Sequence, residues 1–64
     1  MALYFHIIEL DDRRWACRHG LDHYDQHPTL EQARLHIRAL ASAQSPASIY
    51  LHHRDGSVAH LEDV

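Results

Sequence analysis

The chain has 64 residues, of which 45% are hydrophobic and 23% are charged. This length predicts one small domain over residues 1–64, and the composition excludes a disordered or low-complexity segment. The formal charge of −3 offers no basic surplus for phosphates, and the longest apolar run, residues 3–10, is too short to cross a membrane. With one cysteine, which suits a reducing compartment, we expect a cytoplasmic domain without membrane association.

Two strands are predicted at the start of the chain. Residues 3–10 are rich in aromatic and β-branched side chains, which is typical of a strand. A polar turn at residues 11–14 leads into a return strand at residues 15–19, and the turn has no dipeptide that would fix the register. Residues 21–28 are polar and irregular, with a short extended piece expected around Tyr24.

The segment after Pro28 predicts a helix. Thr29 is a favourable N-cap residue, and Gln32 three positions later completes a capping-box pattern. Apolar residues then recur at three- and four-residue spacing, as on the buried side of a helix. These residues are Leu30, Ala33, Ile37, Leu40 and Ala41. The Ser-Pro pair at 45–46 ends the helix.

A second hairpin is predicted near the end of the chain. Residues 48–54 and 57–61 flank an Asp-Gly dipeptide at 55–56, which suits a two-residue type I′ turn. Such a turn places His53 opposite Val58, and side chains alternate between the two faces of a strand. One face then carries Ile49, Leu51 and Val58, and the other carries Tyr50, His52, Arg54, Ala59 and Leu61.

The order of elements predicts an α+β fold of ββαββ type, an antiparallel four-stranded sheet with one α-helix packed on one face. Four strands make a sheet roughly 19 Å wide, whereas one helix is only about 10 Å across. Half of the sheet surface is therefore left open, and exposed aromatic and aliphatic side chains there indicate a contact surface. The open surface carries Tyr50 and Leu61, with either Tyr4, His6 and Ile8 or Leu3, Phe5 and Ile7 from the first strand.

Short motifs occur along the chain in a distinctive order. They are a His-Ile-Ile strand at 6–8, a Trp-Ala-Cys strand at 15–17, a Thr-x-x-Gln-Ala helix start at 29–33 and a His-x-x-Asp-Gly hairpin at 52–56. Their order and spacing resemble the small bacterial domain-of-unknown-function family 2188, which implies a fold and no established activity. The chain up to the helix is also similar to the HicB-type antitoxin fold, and fold-level similarity carries no function. The residues that match the second fold are Trp15, Gly20, Thr29, Glu31 and Ala33.

We expect no enzymatic activity and no cofactor. A chain this short buries a thin core and leaves no room for a deep cleft. Nucleophilic catalysis would need Cys17 beside His6 or His19, but a free cysteine on a strand is more often a small buried hydrophobic residue. The expected function is an interaction or regulatory module that binds a protein partner, or a second copy as a homodimer, through the open surface. The expected contact residues are Tyr4, His6, Tyr50, His52, Arg54 and Leu61.

Two alternatives use the same surface. Nucleic acid would be bound by Arg14, Arg18 and Arg54, with bases stacking on Tyr50 and Trp15. A metal ion would be bound by His6 and His52, with His60 joining only if the hairpin register differs from the one expected. The series His19, His23 and His27 has helical spacing, but Pro28 and its polar surroundings disfavour a helix there.

Overall fold

The computed structural model describes residues 3–10, 13–20 and 22–64. Within these ranges the chain forms one helix and one five-stranded sheet with the strand order β3-β2-β1-β4-β5. The strands are β1 (Leu3–Glu9), β2 (Trp15–His19), β3 (Asp22–His27), β4 (Ala47–His52) and β5 (Val58–Asp63), and the helix is α1 (Leu30–Ser42). The α+β class with a single helix is confirmed, and the predicted turn at Asp11 and Asp12 lies outside the described residues.

The prediction of four antiparallel strands is wrong, because the sheet is mixed and β1 pairs with β4 in parallel. Strand β3, which the sequence predicted only as a short extended piece around Tyr24 and not as a member of the sheet, explains the difference. Two successive antiparallel pairings make β3 run in the direction of β1. The helix then carries the chain back across the sheet, so that β4 enters beside β1 in the same direction, as parallel neighbours require.

Helix α1 begins as the sequence predicts. The Thr29 side chain accepts a hydrogen bond from the backbone N–H of Gln32 at 3.1 Å, so it caps the first turn. The predicted apolar stripe is also confirmed: Ala33, Ile37 and Ala41 are fully buried, and Leu30 and Leu40 pack partly buried against the core.

The core lies between α1 and the sheet. On its sheet side it contains Phe5, Ile7, Cys17, Ala47, Ile49 and Leu51, with Trp15 packed half-buried against it. The burial of Phe5 and Ile7 fixes the orientation of β1, which the sequence left open. Tyr4, His6 and Ile8 consequently point to the other side of the sheet.

The β4–β5 hairpin differs from the prediction by one residue. Its loop has three residues, 54–56, because the backbone N–H of His53 donates to the carbonyl of Ser57 at 2.8 Å and Gly56 adopts a positive φ of 93°. Val58 therefore pairs with His52 instead of His53. A shift of one residue exchanges the faces of a strand, which explains why Val58 is 55% exposed.

Helix α1 packs against β1 to β4 on one side of the sheet, and no other element of the described chain lies over the opposite side. We call this uncovered side the open face. Its residues include Tyr4, His6, Ile8, Arg18, Tyr50, His52, Val58 and His60. Across the described ranges, no helix is long and apolar enough to cross a membrane.

Candidate functional site

The centre of the open face holds a pair of histidines. The β1–β4 register places His6 and His52 on the same face, and His6 Nδ1 lies 2.8 Å from His52 Nε2. At this distance one ring nitrogen donates its proton and the other accepts it. We call these two residues the histidine pair.

Both members of the histidine pair resist protonation. Burial lowers the pKa of His6 below its ordinary 6.5, and electrostatic repulsion from His52, Arg18 and His19 acts in the same direction. Burial also lowers the pKa of His52, again with a contribution from Arg18. The pair is consequently neutral at pH 7 and shares one hydrogen bond between two uncharged rings.

Arg18 lies beside the pair, directly opposite His6 in the β1–β2 ladder. Its Nε is buried and has no hydrogen-bond acceptor among the residues that the structure describes. A buried donor without an acceptor is unfavourable by about 1–3 kcal/mol, and by more when the group is charged. The centre of the open face therefore combines a positive charge with an unused donor.

Aromatic rings surround this centre. The Tyr50 ring lies 5.8 Å from the Tyr4 ring, 6.3 Å from the His6 ring and 5.2 Å from the His60 ring, measured between centroids. Tyr4 is 53% exposed. These rings form a row across β1, β4 and β5, with apolar faces and polar tips of the kind enriched at protein interfaces.

Four of the six expected contact residues lie together on the open face: Tyr4, His6, Tyr50 and His52. Leu61 does not, because the hairpin shift and an irregularity between Ile49 and Tyr50 turn it to the helix side, where it packs against the core. Arg54 lies in the hairpin loop, and its backbone N–H donates to Glu9 Oε1 at 3.2 Å.

The structure does not bring together the residues expected for the metal alternative or those expected for the nucleic-acid alternative. His60 does reach the open face, but its Nε2 bonds to Asp63 Oδ1 at 2.8 Å, and the Tyr50 ring lies beside it. It therefore does not form a three-ligand group with the histidine pair. In the nucleic-acid alternative, Arg18 and Trp15 lie on opposite sides of the sheet. Arg18 is on the open face, and Trp15 packs against the core on the helix side.

A second cluster, which the sequence reasoning missed, lies on the helix side near the β3 edge of the sheet. We call it the edge cluster, and its members are Cys17 of β2, Asp25 and His27 of β3, and His36 of α1. One ligand atom from each of the four residues lies within 4.8 Å of the others. Cys17 is buried, His27 and His36 are half-buried, and Asp25 is exposed.

The fold assembles this cluster from three local patterns. Asp25 and His27 are two residues apart on β3, so both side chains point to the same face. His27 pairs with Trp15 of β2. Cys17 is two residues after Trp15, so both side chains lie on the helix side of β2, next to His27. His36 precedes the buried Ile37 on the helix. The signal was an Asp-x-His sequence on a strand, and it was hidden because residues 21–28 were predicted to be irregular apart from a short extended piece around Tyr24.

Cys17 is not an activated nucleophile in this arrangement. Burial raises the pKa of its thiol to about 11, with a smaller contribution from the Asp25 carboxylate. The thiol points at the carbonyl oxygen of Ala33 at 3.6 Å. A protonated, buried thiol is a poor nucleophile at neutral pH.

No family model, curated protein or solved structure matches this chain. The resemblances to the domain-of-unknown-function family 2188 and to the HicB-type antitoxin fold therefore stay predictions.

Proposed function

We propose that the protein is a non-enzymatic interaction module that binds an acidic segment of a protein partner through the open face. The observation that carries the proposal is the buried Nε of Arg18, which has no acceptor within the described part of the chain and lies beside the histidine pair. When the half-buried Arg18 side chain turns outward, a partner's carboxylate supplies the missing acceptor in a charge-assisted hydrogen bond.

The charges of the open face favour this partner over a second copy of the chain. In a symmetric dimer built on this face, each Arg18 near the two-fold axis meets the positive centre of the other copy. Asp63, at the margin of the face, is already bonded to Ser48 Oγ at 2.6 Å and to His60. An acidic partner brings the opposite charge without displacing these bonds.

The size of the face sets the strength of the contact. Five strands at about 4.8 Å and six residues at about 3.3 Å give a surface of roughly 500 Å². This is below the roughly 800 Å² that each partner contributes to a standard interface. We therefore expect a transient contact in which Tyr4 and Tyr50 supply apolar area around the Arg18 hydrogen bond.

Nuclear magnetic resonance titration of the isotope-labelled chain tests this proposal. A short Glu-rich peptide should shift the signals of Arg18, His6 and Tyr50, and the same peptide with Gln in place of Glu should not. Arg18→Gln should abolish the response. Arg34→Gln, which removes an equal charge from the exposed side of α1, should preserve it.

Three results would reject the proposal. The first is a response confined to the helix side, and the second is an equal response to the Glu-rich and Gln-rich peptides. The third is tighter binding of a single-stranded oligonucleotide than of the acidic peptide, which would favour the nucleic-acid alternative. A dimer whose open face is protected from solvent would favour self-association instead.

A further inference from the structure

We propose that the edge cluster is a zinc site, with Asp25, His27, His36 and Cys17 as its four ligands. This site is independent of the open face, which lies on the other side of the sheet. Its residues are different from His6, His52 and His60, the histidines suggested as metal ligands, although His27 also belongs to the series with helical spacing.

The geometry of three donor atoms supports the site. His27 Nε2 lies 3.0 Å from Asp25 Oδ1, His36 Nδ1 lies 3.0 Å from the same oxygen, and the two nitrogens are 3.1 Å apart. The three atoms form a nearly equilateral triangle. In tetrahedral zinc, nitrogen and oxygen donors at about 2.0–2.1 Å from the metal are about 3.3 Å from each other. The triangle is therefore close to one face of such a tetrahedron.

Hydrogen bonds alone do not explain the triangle. An ionised Asp25 only accepts, so both ring nitrogens must donate to it, and two donors then face each other at 3.1 Å. If one nitrogen accepts from the other instead, its lone pair faces the carboxylate oxygen at 3.0 Å. A ring nitrogen cannot donate and accept at once, so one side of the triangle is always repulsive. A cation at the centre attracts all three lone pairs and removes this conflict.

Cys17 completes the donor set. Its Sγ lies within 4.8 Å of the other three ligand atoms, so a shift of about 1 Å brings it to the position of a fourth zinc ligand with a Zn–S distance of about 2.3 Å. The hydrogen bond that it leaves, to the Ala33 carbonyl, is long at 3.6 Å. One thiolate, two imidazoles and one carboxylate suit zinc, whereas calcium and magnesium prefer oxygen ligands throughout.

The burial of the cluster fits a structural site with a path for the ion. Cys17 closes the inner side, where it is fully buried, and Asp25 faces solvent with 45% of its side chain exposed. The ligands come from β2, β3 and α1, so a bound ion joins the helix to the edge of the sheet. Small domains with thin cores commonly gain stability from such a metal site.

Calorimetric titration with zinc chloride tests the site on the full chain without an affinity tag. We expect one zinc ion per chain, bound more tightly than about 1 μM. His36→Gln and Asp25→Asn should each weaken binding at least 10–100-fold, which is the loss seen when even a residue supporting a metal ligand is removed. The double variant His6→Gln/His52→Gln is the matched control and should bind zinc as the unmodified chain does.

Cobalt substitution tests Cys17 separately, because replacing a buried residue also affects folding. Cobalt(II) in the site should show the visible absorption of a tetrahedral ion and a near-ultraviolet thiolate-to-cobalt charge-transfer band. The ion should also quench Trp15, the single tryptophan, which pairs with His27. Circular dichroism of the metal-free variants should match that of the unmodified chain.

Several results would overturn the inference. They are binding weaker than about 1 μM, equal responses to zinc and magnesium, and affinity that depends on the histidine pair instead of Asp25 and His36. Cobalt binding without a thiolate band would remove Cys17 from the ligand set.

Discussion

The two histidine clusters have similar spacing and opposite electrostatic surroundings. In the histidine pair two ring nitrogens are 2.8 Å apart, and in the edge cluster the separation is 3.1 Å. The neighbour of the first is Arg18, and the neighbour of the second is Asp25. A positive neighbour disfavours a cation and favours an anionic partner, whereas a carboxylate does the reverse. The charge of the third residue therefore decides what each cluster is suited to bind.

The clusters also differ in what they connect. The histidine pair joins β1 and β4, which are already hydrogen-bonded neighbours in the sheet. The edge cluster joins β2, β3 and α1, and so includes the packing of helix against sheet. Any ligand that binds only the folded state raises its stability according to its affinity, so we expect zinc at the edge cluster to stabilise the fold more than a transient contact on the open face does.

The largest expected effect is at the helix–sheet core. Ile37→Ala leaves a cavity beside fully buried side chains and should destabilise the chain by about 2–5 kcal/mol. Leu35→Ala, on the same helix but at a residue 62% exposed, should change stability by less than about 0.5 kcal/mol. Urea denaturation measures both. If Ile37→Ala does not fold, Ile37→Val should show a loss of about 0.5–1.5 kcal/mol. Equal effects at positions 35 and 37 would contradict the observed burial.

The second effect is the stabilisation that follows if zinc binds the edge cluster. With free zinc at about 100 times its dissociation constant, the free energy of unfolding should rise by about 2.7 kcal/mol. For a domain of this size, that corresponds to a rise of roughly 10–20 °C in the melting temperature. A chelator should reverse the rise, and Asp25→Asn should not show it. A melting temperature unchanged by saturating zinc would contradict zinc binding to the folded chain.

Helix α1 and strand β4 were not equally predictable from the sequence. The helix was predictable because the Thr29 cap and the apolar stripe through Ile37 are local signals. The direction of β4 was not, because it depends on β3, a polar strand without the alternation of apolar residues that identifies a half-buried strand.

The candidate sites show the same difference between features set by local sequence and features set by the arrangement of distant elements. Tyr50 and His52 were placed on one face correctly, since alternation along a strand is local. Leu61 was misplaced, because Gly56 takes part in a three-residue loop where the dipeptide suggested a two-residue turn. The edge cluster depends on contacts between β2, β3 and α1, and the only local sign of it is the Asp-x-His spacing at 25–27, which does not show that Cys17 and His36 lie beside it.

The third effect isolates the influence of Arg18 on the histidine pair. Arg18→Met removes the positive charge and keeps much of the apolar stem. The pKa values of His6 and His52 should both rise, since Arg18 contributes to lowering each of them. They should not reach the ordinary value, because burial remains the larger cause. Histidine signals followed by nuclear magnetic resonance across pH measure the change, and Arg34→Met is the charge-matched control.

The smallest effect is the dependence of stability on pH through the histidine pair. Both pKa values are lowered in the folded state, so the unfolded chain takes up protons first as the pH falls. The contribution of the pair to the free energy of unfolding is complete above pH 6.5 and decreases below it. It is fully lost once the pH is below the lowered pKa values of the folded state. Arg18 of β2 and Tyr50 of β4 face the pair, and His19 acts on His6 electrostatically from the other side of β2.

Urea denaturation between pH 7.5 and 5, with a chelator present, separates this contribution from others. The unmodified chain should lose more stability over this range than His6→Gln/His52→Gln, because glutamine does not titrate. Asp55 and Asp63 do not interfere. Hydrogen bonds from Ser57 and Ser48, respectively, lower the pKa of these two carboxyls below 3.8, so they titrate at lower pH. Identical pH dependence in the two chains would show that the histidine pair titrates alike in the folded and unfolded states, and that Arg18 does not act on it.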